Sequence, residues 1–208
     1  MKDHKPYFRK AVAKFYPDKS SALLTEIDKA FEALHGDISF AATSKNPMDR
    51  RLDVAGYFLA MIISLDKRGE SFEDIRRISL DIAHDYVRPQ NRFQAYLKKL
   101  PVKMMQSGLF KILISYFAKR VGERAHPDGF VTKIITDKNE TFGLGYGFDI
   151  LECGICKLYE KNNYKRFASI LCEVDNITSS LAGLKLIRSG TIANGAKKCD
   201  FRFKLDQP

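Results

Sequence analysis

The chain has 208 residues, 45% of them hydrophobic and 29% charged, with a mean hydropathy of −0.27, a composition that excludes a disordered or fibrous protein and suits a globular domain. The net charge of +10 comes from 35 Lys and Arg against 25 Asp and Glu, but the basic pairs (Arg50-Arg51, Arg76-Arg77, Lys98-Lys99, Lys119-Arg120, Lys197-Lys198) are scattered and no nucleic-acid motif organises them, so nucleic acid is disfavoured as a partner. No apolar run approaches the ~18 residues a bilayer span needs, and no apolar signal region follows the charged N-terminus, which predicts a cytoplasmic protein without a membrane partner.

In chain order, the first 125 residues read as helices. Leu23, Leu24, Ile27, Phe31 and Leu34 recur at helical spacing between Ser21 and His35, with Gly36 as the stop. Residues 47–65 repeat the pattern through Leu52, Ala55, Leu59, Ile62 and Ile63. Ser71 to Asp74 forms a capping-box pattern that starts a helix presenting Phe72, Ile75, Ile78 and Ile82. Pro101 is placed to open another, with Met105, Leu109, Leu113 and Phe117 on one face. Such stripes mark a core.

The character changes at His126-Pro-Asp-Gly129. Residues 130–136 form a short β-type run, and 142–148 alternate large residues with glycine, which predicts a strand with one bare face. Residues 164–181 are helical, with Phe167, Ile170, Leu171, Val174 and Ile177 as the stripe. Cys172 and Asp175 share a face of this helix away from the centre of the stripe. Residues 184–192 read as a strand, Asn194-Gly195 as a tight turn, and residues 199–204 as the partner strand, with Cys199, Phe201 and Phe203 on one face and Asp200, Arg202 and Lys204 on the other. The expected architecture is α+β: one domain, helical over 1–125 and strand-rich over 126–208, the helical portion packed on a small, mostly antiparallel four-stranded sheet with an inserted helix.

Four cysteines in a chain of this kind point to free thiols, a metal site or catalysis. Cys153-x-x-Cys156, Cys172 and Cys199 lack the two close pairs of a structural zinc site, so no metal is expected. Cys153-x-x-Cys156 opening a helix after a strand is loosely compatible with a redox pair, although Glu152 beside it disfavours a thiolate. Four buried, inert thiols are the simplest alternative.

The ordered set Glu152-Cys153, Leu171-Cys-Glu-Val-Asp175, Thr191-Ile-Ala-Asn-Gly195 and Cys199-Asp-Phe-Arg-Phe203 resembles the L-2-amino-thiazoline-4-carboxylic acid hydrolase family. The likeness runs from about residue 142 to 204; Cys156 falls outside the pattern, and Lys198 stands where many members carry a histidine. The tail also resembles, more faintly, small-molecule-binding domains of the 4-vinyl reductase type, which implies a non-catalytic sensor as the alternative function.

The resemblance implies a hydrolase that opens or cleaves a small carboxylated heterocycle, or a related C–N or C–S substrate, and needs no cofactor. Such chemistry requires a nucleophile, a proton shuttle and an anchor for the carboxylate. Cys172 is the expected nucleophile, with Cys153 and Cys199 as alternatives and Asp175 as the group that moves a proton or hydrogen-bonds the amidinium. The sequence does not separate this from a mechanism in which three thiols and Asp175 hold a metal that activates water. Arg202 supplies a fork for a carboxylate, and Asp200, Thr191 and Gly195 complete the expected binding set. Homo-oligomerisation is left open by the sequence.

Overall fold

The structure, a computed structural model, describes residues 3–104 and 108–206, without the side chains of residues 98, 99, 101–104 and 108–113. Helix α1 (Lys5–Phe15), absent from the predicted set, has Pro6 in its first turn, where a missing amide costs nothing, and buries Phe8, Ala11 and Val12. α2 (Ser20–Ala33) gives way to a single turn, α3 (His35–Ile38). The predicted stop at Gly36 therefore falls inside a further turn, which carries Ile38 into the core.

α4 (Arg51–Lys67) is the central helix, buried around most of its circumference from Leu52 to Leu65. α5 (Phe72–Val87) begins as its capping box predicts, with the Asp74 amide donating to Ser71 Oγ at 3.1 Å. α6 (Arg92–Met104) and α7 (Gly108–Gly122) correct the reading at Pro101, which lies inside α6 near its end. The Asn91 side chain accepts the Gln94 amide at 2.8 Å and starts the helix one position before Arg92. Of the stripe predicted there, Met105 lies outside the described residues, as do the side chains of Leu109 and Leu113, and Phe117 packs half-buried against the core.

The strand-rich part comprises β1 (Val131–Ile135), β2 (Gly147–Glu152), α8 (Gly154–Lys161), α9 (Ala168–Leu181), β3 (Leu184–Ile187) and β4 (Cys199–Leu205). The sheet order is β1-β2-β4-β3 with every neighbouring pair antiparallel, so the fold is α+β with mostly N-terminal helices on a four-stranded antiparallel sheet. Two local readings are corrected. Residues 142–146 form a turn, with Phe142, Gly143 and Gly145 all at positive φ, a conformation no strand accommodates; the strand starts only at Gly147. A side chain at Gly147 would stand 2.8 Å from the Phe201 carbonyl, so the glycine serves close approach of β2 to β4. β3 is also shorter than predicted, and its link to β4 is a connection spanning residues 188–198 rather than a tight turn. Gly195, at φ +87°, ends a short 3-10 turn that Thr191 caps within this connection.

One sheet face, with Ile150, Cys199, Phe201 and Phe203, is buried in the core; Asp149, Asp200, Arg202 and Lys204 occupy the other. The helical portion is tied to the sheet just before α4. Buried Asn46 donates to the Phe130 carbonyl at 2.9 Å, and the Phe130 amide donates to buried Asp49 at 2.8 Å. These bonds satisfy polar groups that would otherwise be costly to bury, and they set the position of the α4 start, including Arg51. Among the described residues no helix is long and apolar enough to cross a membrane.

Candidate active site

Cys153 directly follows β2 in extended conformation and occupies the N-cap position of α8. Gly154 is needed next to it, because a Cβ there would lie 3.0 Å from the Asp128 carbonyl and the Phe130 ring. With Cys153 at the cap, the helical turn brings Cys156 back beside it in the same small pocket. The nearness of Cys156 lowers the Cys153 thiol below its ordinary value against the effect of burial, and the backbone amides of Cys156 and Ile155 act in the same direction. The same contact, with burial, pushes the Cys156 thiol up. Glu152, the neighbour expected to oppose a thiolate, is held by Arg124 and by Lys157 at 2.6 Å.

From α9 come Cys172 and Asp175, and from β4 comes Cys199. All four cysteines and Asp175 line one small cavity of about 40 Å³, together with Arg188 and Arg51. Burial, then the nearby Asp175, raises the Cys172 thiol to about 12, and its sulfur faces the Ala168 carbonyl at 3.9 Å. Burial also raises Cys199, against the Ile192 amide that donates to its sulfur at 3.2 Å. Asp175 is raised by burial too, although Arg51 and Arg188 pull the other way.

Arg188 was not foreseen. Its Nη1 lies 2.8 Å from Asp175, its Nη2 donates to the Cys172 carbonyl at 3.0 Å, and its guanidinium sits 4.9 Å from the centre of the Phe201 ring. It joins the β3 end to the helix face that carries Cys172 and Asp175. The available sequence signal is only an arginine closing an apolar strand run; no spacing relates it to Asp175. Cys156, weighed in the sequence only as part of a zinc or redox pair and outside the family pattern, also lines the cavity.

The remaining expected site residues stand outside the cavity. Arg202 lies on the opposite sheet face, 2.9 Å from Asp149 and 3.6 Å from Glu140. Asp149 also meets Lys198 at 2.7 Å. The Asp200 carboxylate accepts the Ser189 amide and hydroxyl and the Gly190 amide, at 2.7–3.1 Å. Burial works against its ionised form, but these donors outweigh it and hold the pKa below the ordinary value. Asp200 thereby fixes the turn that directly follows Arg188. Thr191 is buried and accepts the Asn194 amide at 3.2 Å, and Gly195 is an exposed left-handed turn residue. Among the described residues no three His, Cys, Asp or Glu side chains are arranged to hold a metal ion.

Four thiols and an Asp–Arg pair around one small cavity, on an α+β scaffold, form a candidate covalent or acid–base site. The family model for L-2-amino-thiazoline-4-carboxylic acid hydrolase matches residues 55–203, most of the chain, and this protein belongs to that family. The match takes in every cavity residue named above except Arg51. No curated protein and no solved structure matches the chain.

Proposed function

We propose that the protein is a cysteine-dependent hydrolase acting on an amidine-like carbon, as in a 2-amino-thiazoline carboxylate, with Cys153 as nucleophile and Asp175 as proton donor. The observation that carries this is the place of Cys153, between the end of β2 and the first turn of α8 and in one pocket with Asp175 and Arg188; its thiol is lowered there, whereas burial raises Cys172 and Cys199. Burial raises Asp175 above the ordinary carboxylate value, the direction that suits a group which must give and take a proton.

In this mechanism the Cys153 thiolate adds to the ring carbon between nitrogen and sulfur. An S–C bond forms, and the C=N electron pair moves to nitrogen, which takes the Asp175 proton. The nitrogen pair then re-forms a C=N bond and the ring C–S bond breaks. The expelled thiolate takes a proton from the amidinium so formed, leaving an isothiourea on Cys153. Water adds across its C=N bond, giving one proton to nitrogen and keeping its hydroxyl on carbon. Collapse to a carbonyl expels the Cys153 thiolate, returns a proton to Asp175 and releases a ureido acid with a free thiol. Arg188 holds Asp175 in place, and Cys172 and Cys199 form the cavity wall. Four unpaired cysteines support a reducing, cytoplasmic setting.

The test is turnover of 2-amino-thiazoline-4-carboxylate, followed as substrate loss. Cys153→Ala should abolish it with the melting temperature nearly unchanged, and Asp175→Asn should lower kcat more than it raises KM. Full activity in Cys153→Ala, together with loss in Cys172→Ala, would move the nucleophile to α9. Binding without turnover in the unmodified protein would favour the ligand-sensor function.

A further inference from the structure

Beside the thiol cavity lies a larger cleft of about 320 Å³ between α4, α5 and α9, within the size range of small-molecule sites. Its walls are mainly apolar, from Val54, Phe58, Val87, Leu171 and Val174. Arg51, Ile155, Leu171 and Asp175 line both spaces, so the cleft adjoins the site proposed above. Exposed Arg51 forms no ion pair or hydrogen bond with another described residue, and its charge reaches Asp175 and Tyr146 only through space. A cation without an ion-pair partner among the described residues, at one end of an apolar cleft, is complementary to an anionic group carrying an apolar body. A bare thiazoline carboxylate has nothing to fill such a cleft.

We infer that the cleft is a substrate subsite for an amphiphilic acid: the carboxylate rests on Arg51, an apolar chain or ring occupies the space among Val54, Phe58 and Leu171, and the reacting carbon reaches Cys153. The direction of the reacting carbon rests on the catalytic reading; binding of the acid in the cleft does not.

Linear carboxylates are the probe, titrated calorimetrically into the full chain carrying Cys153→Ala, which keeps thiol chemistry out of the measurement. Octanoate should bind with one site per chain, and affinity should rise about fourfold per methylene from butanoate to octanoate. Octanol, without the charge, should bind at least about tenfold more weakly, and Arg51→Gln should remove the preference for the acid. Thr178→Trp, at an exposed position on the cleft wall, should block octanoate without disturbing the core. Val54→Ser offers a second, milder change, with octanoate affinity lowered severalfold. Affinity independent of chain length, or octanoate binding unaltered in both Arg51→Gln and Thr178→Trp, overturns the subsite. Cys153→Ala that still hydrolyses the thiazoline while octanoate binds as expected would instead sink the catalytic assignment and leave the subsite standing.

Discussion

Arg188 Nη1 and Asp175 Oδ2 stand 2.8 Å apart in a largely buried position, and the same guanidinium holds the Cys172 carbonyl at 3.0 Å. A bridge of this kind joins the end of β3 to α9 and keeps the carboxyl turned toward the thiols. Arg188→Met should lower stability by about 3 kcal/mol, because it leaves the buried Asp175 carboxyl without its partner. The double variant with Asp175→Asn should recover most of that loss, and chemical denaturation of the two single variants and the double variant measures the coupling.

The four thiols should alkylate in a fixed order. Iodoacetamide at neutral pH should modify Cys153 first, with a pH midpoint below the ordinary cysteine value. Cys172, held up near 12, should react only in alkali. Cys156→Ala removes the thiol that lowers Cys153 and should shift the Cys153 midpoint upward. Peptide mapping by mass spectrometry after timed quenching reads all of these together, and a faster reaction at Cys172 than at Cys153 would count against the proposed nucleophile.

Gly154→Ala should cost about 1–3 kcal/mol, since the new methyl meets the Asp128 carbonyl and the Phe130 ring at 3.0 Å, within a packed corner. The resulting shift of the α8 start should also slow Cys153 alkylation, because the amides of Ile155 and Cys156 move with it. Thermal unfolding and the alkylation rate check the two effects separately.

His4 offers a pH prediction away from the site. It is buried against Phe8, Phe31 and Tyr57, and its Nε2 has no hydrogen-bond partner. Burial lowers its pKa below 6.5, more than Asp53 at 3.6 Å raises it. The unfolded chain then binds the proton first, so stability is fully present above about 6.5 and is lost as pH falls through the folded value. The melting temperature should drop between about pH 7 and pH 5, and His4→Phe should flatten that slope.

Much of the local structure was legible along the chain. Ser71 caps α5 because a side-chain oxygen three residues before an amide is a local geometry. Period-2 alternation placed Cys199 and Phe201 on the buried face of β4 and Asp200 and Arg202 on the other. The tight turn at Asn194-Gly195 was misread because the same residues suit any left-handed turn, and here one closes a 3-10 turn inside a longer connection. The glycine run at 142–147 misled for a similar reason: its alternation resembles a strand, while its positive φ values make a turn.

By itself the sequence determined the α+β class, the family, and the placing of Cys153 at a strand end and of Cys172 with Asp175 on one helix face. These depend on periods of 3.6 and 2 and on ordered motifs, which are properties of neighbouring residues. Only the tertiary structure decided which charges face which thiols. Arg188 pairs with Asp175 across the α9–β3 junction, Arg51 reaches the cavity from the distant α4, and Arg202, the carboxylate fork expected from the motif, turns to Asp149 on the far sheet face. Ion-pair partners are chosen by distance after folding, between residues whose separation along the chain carries no information about their meeting.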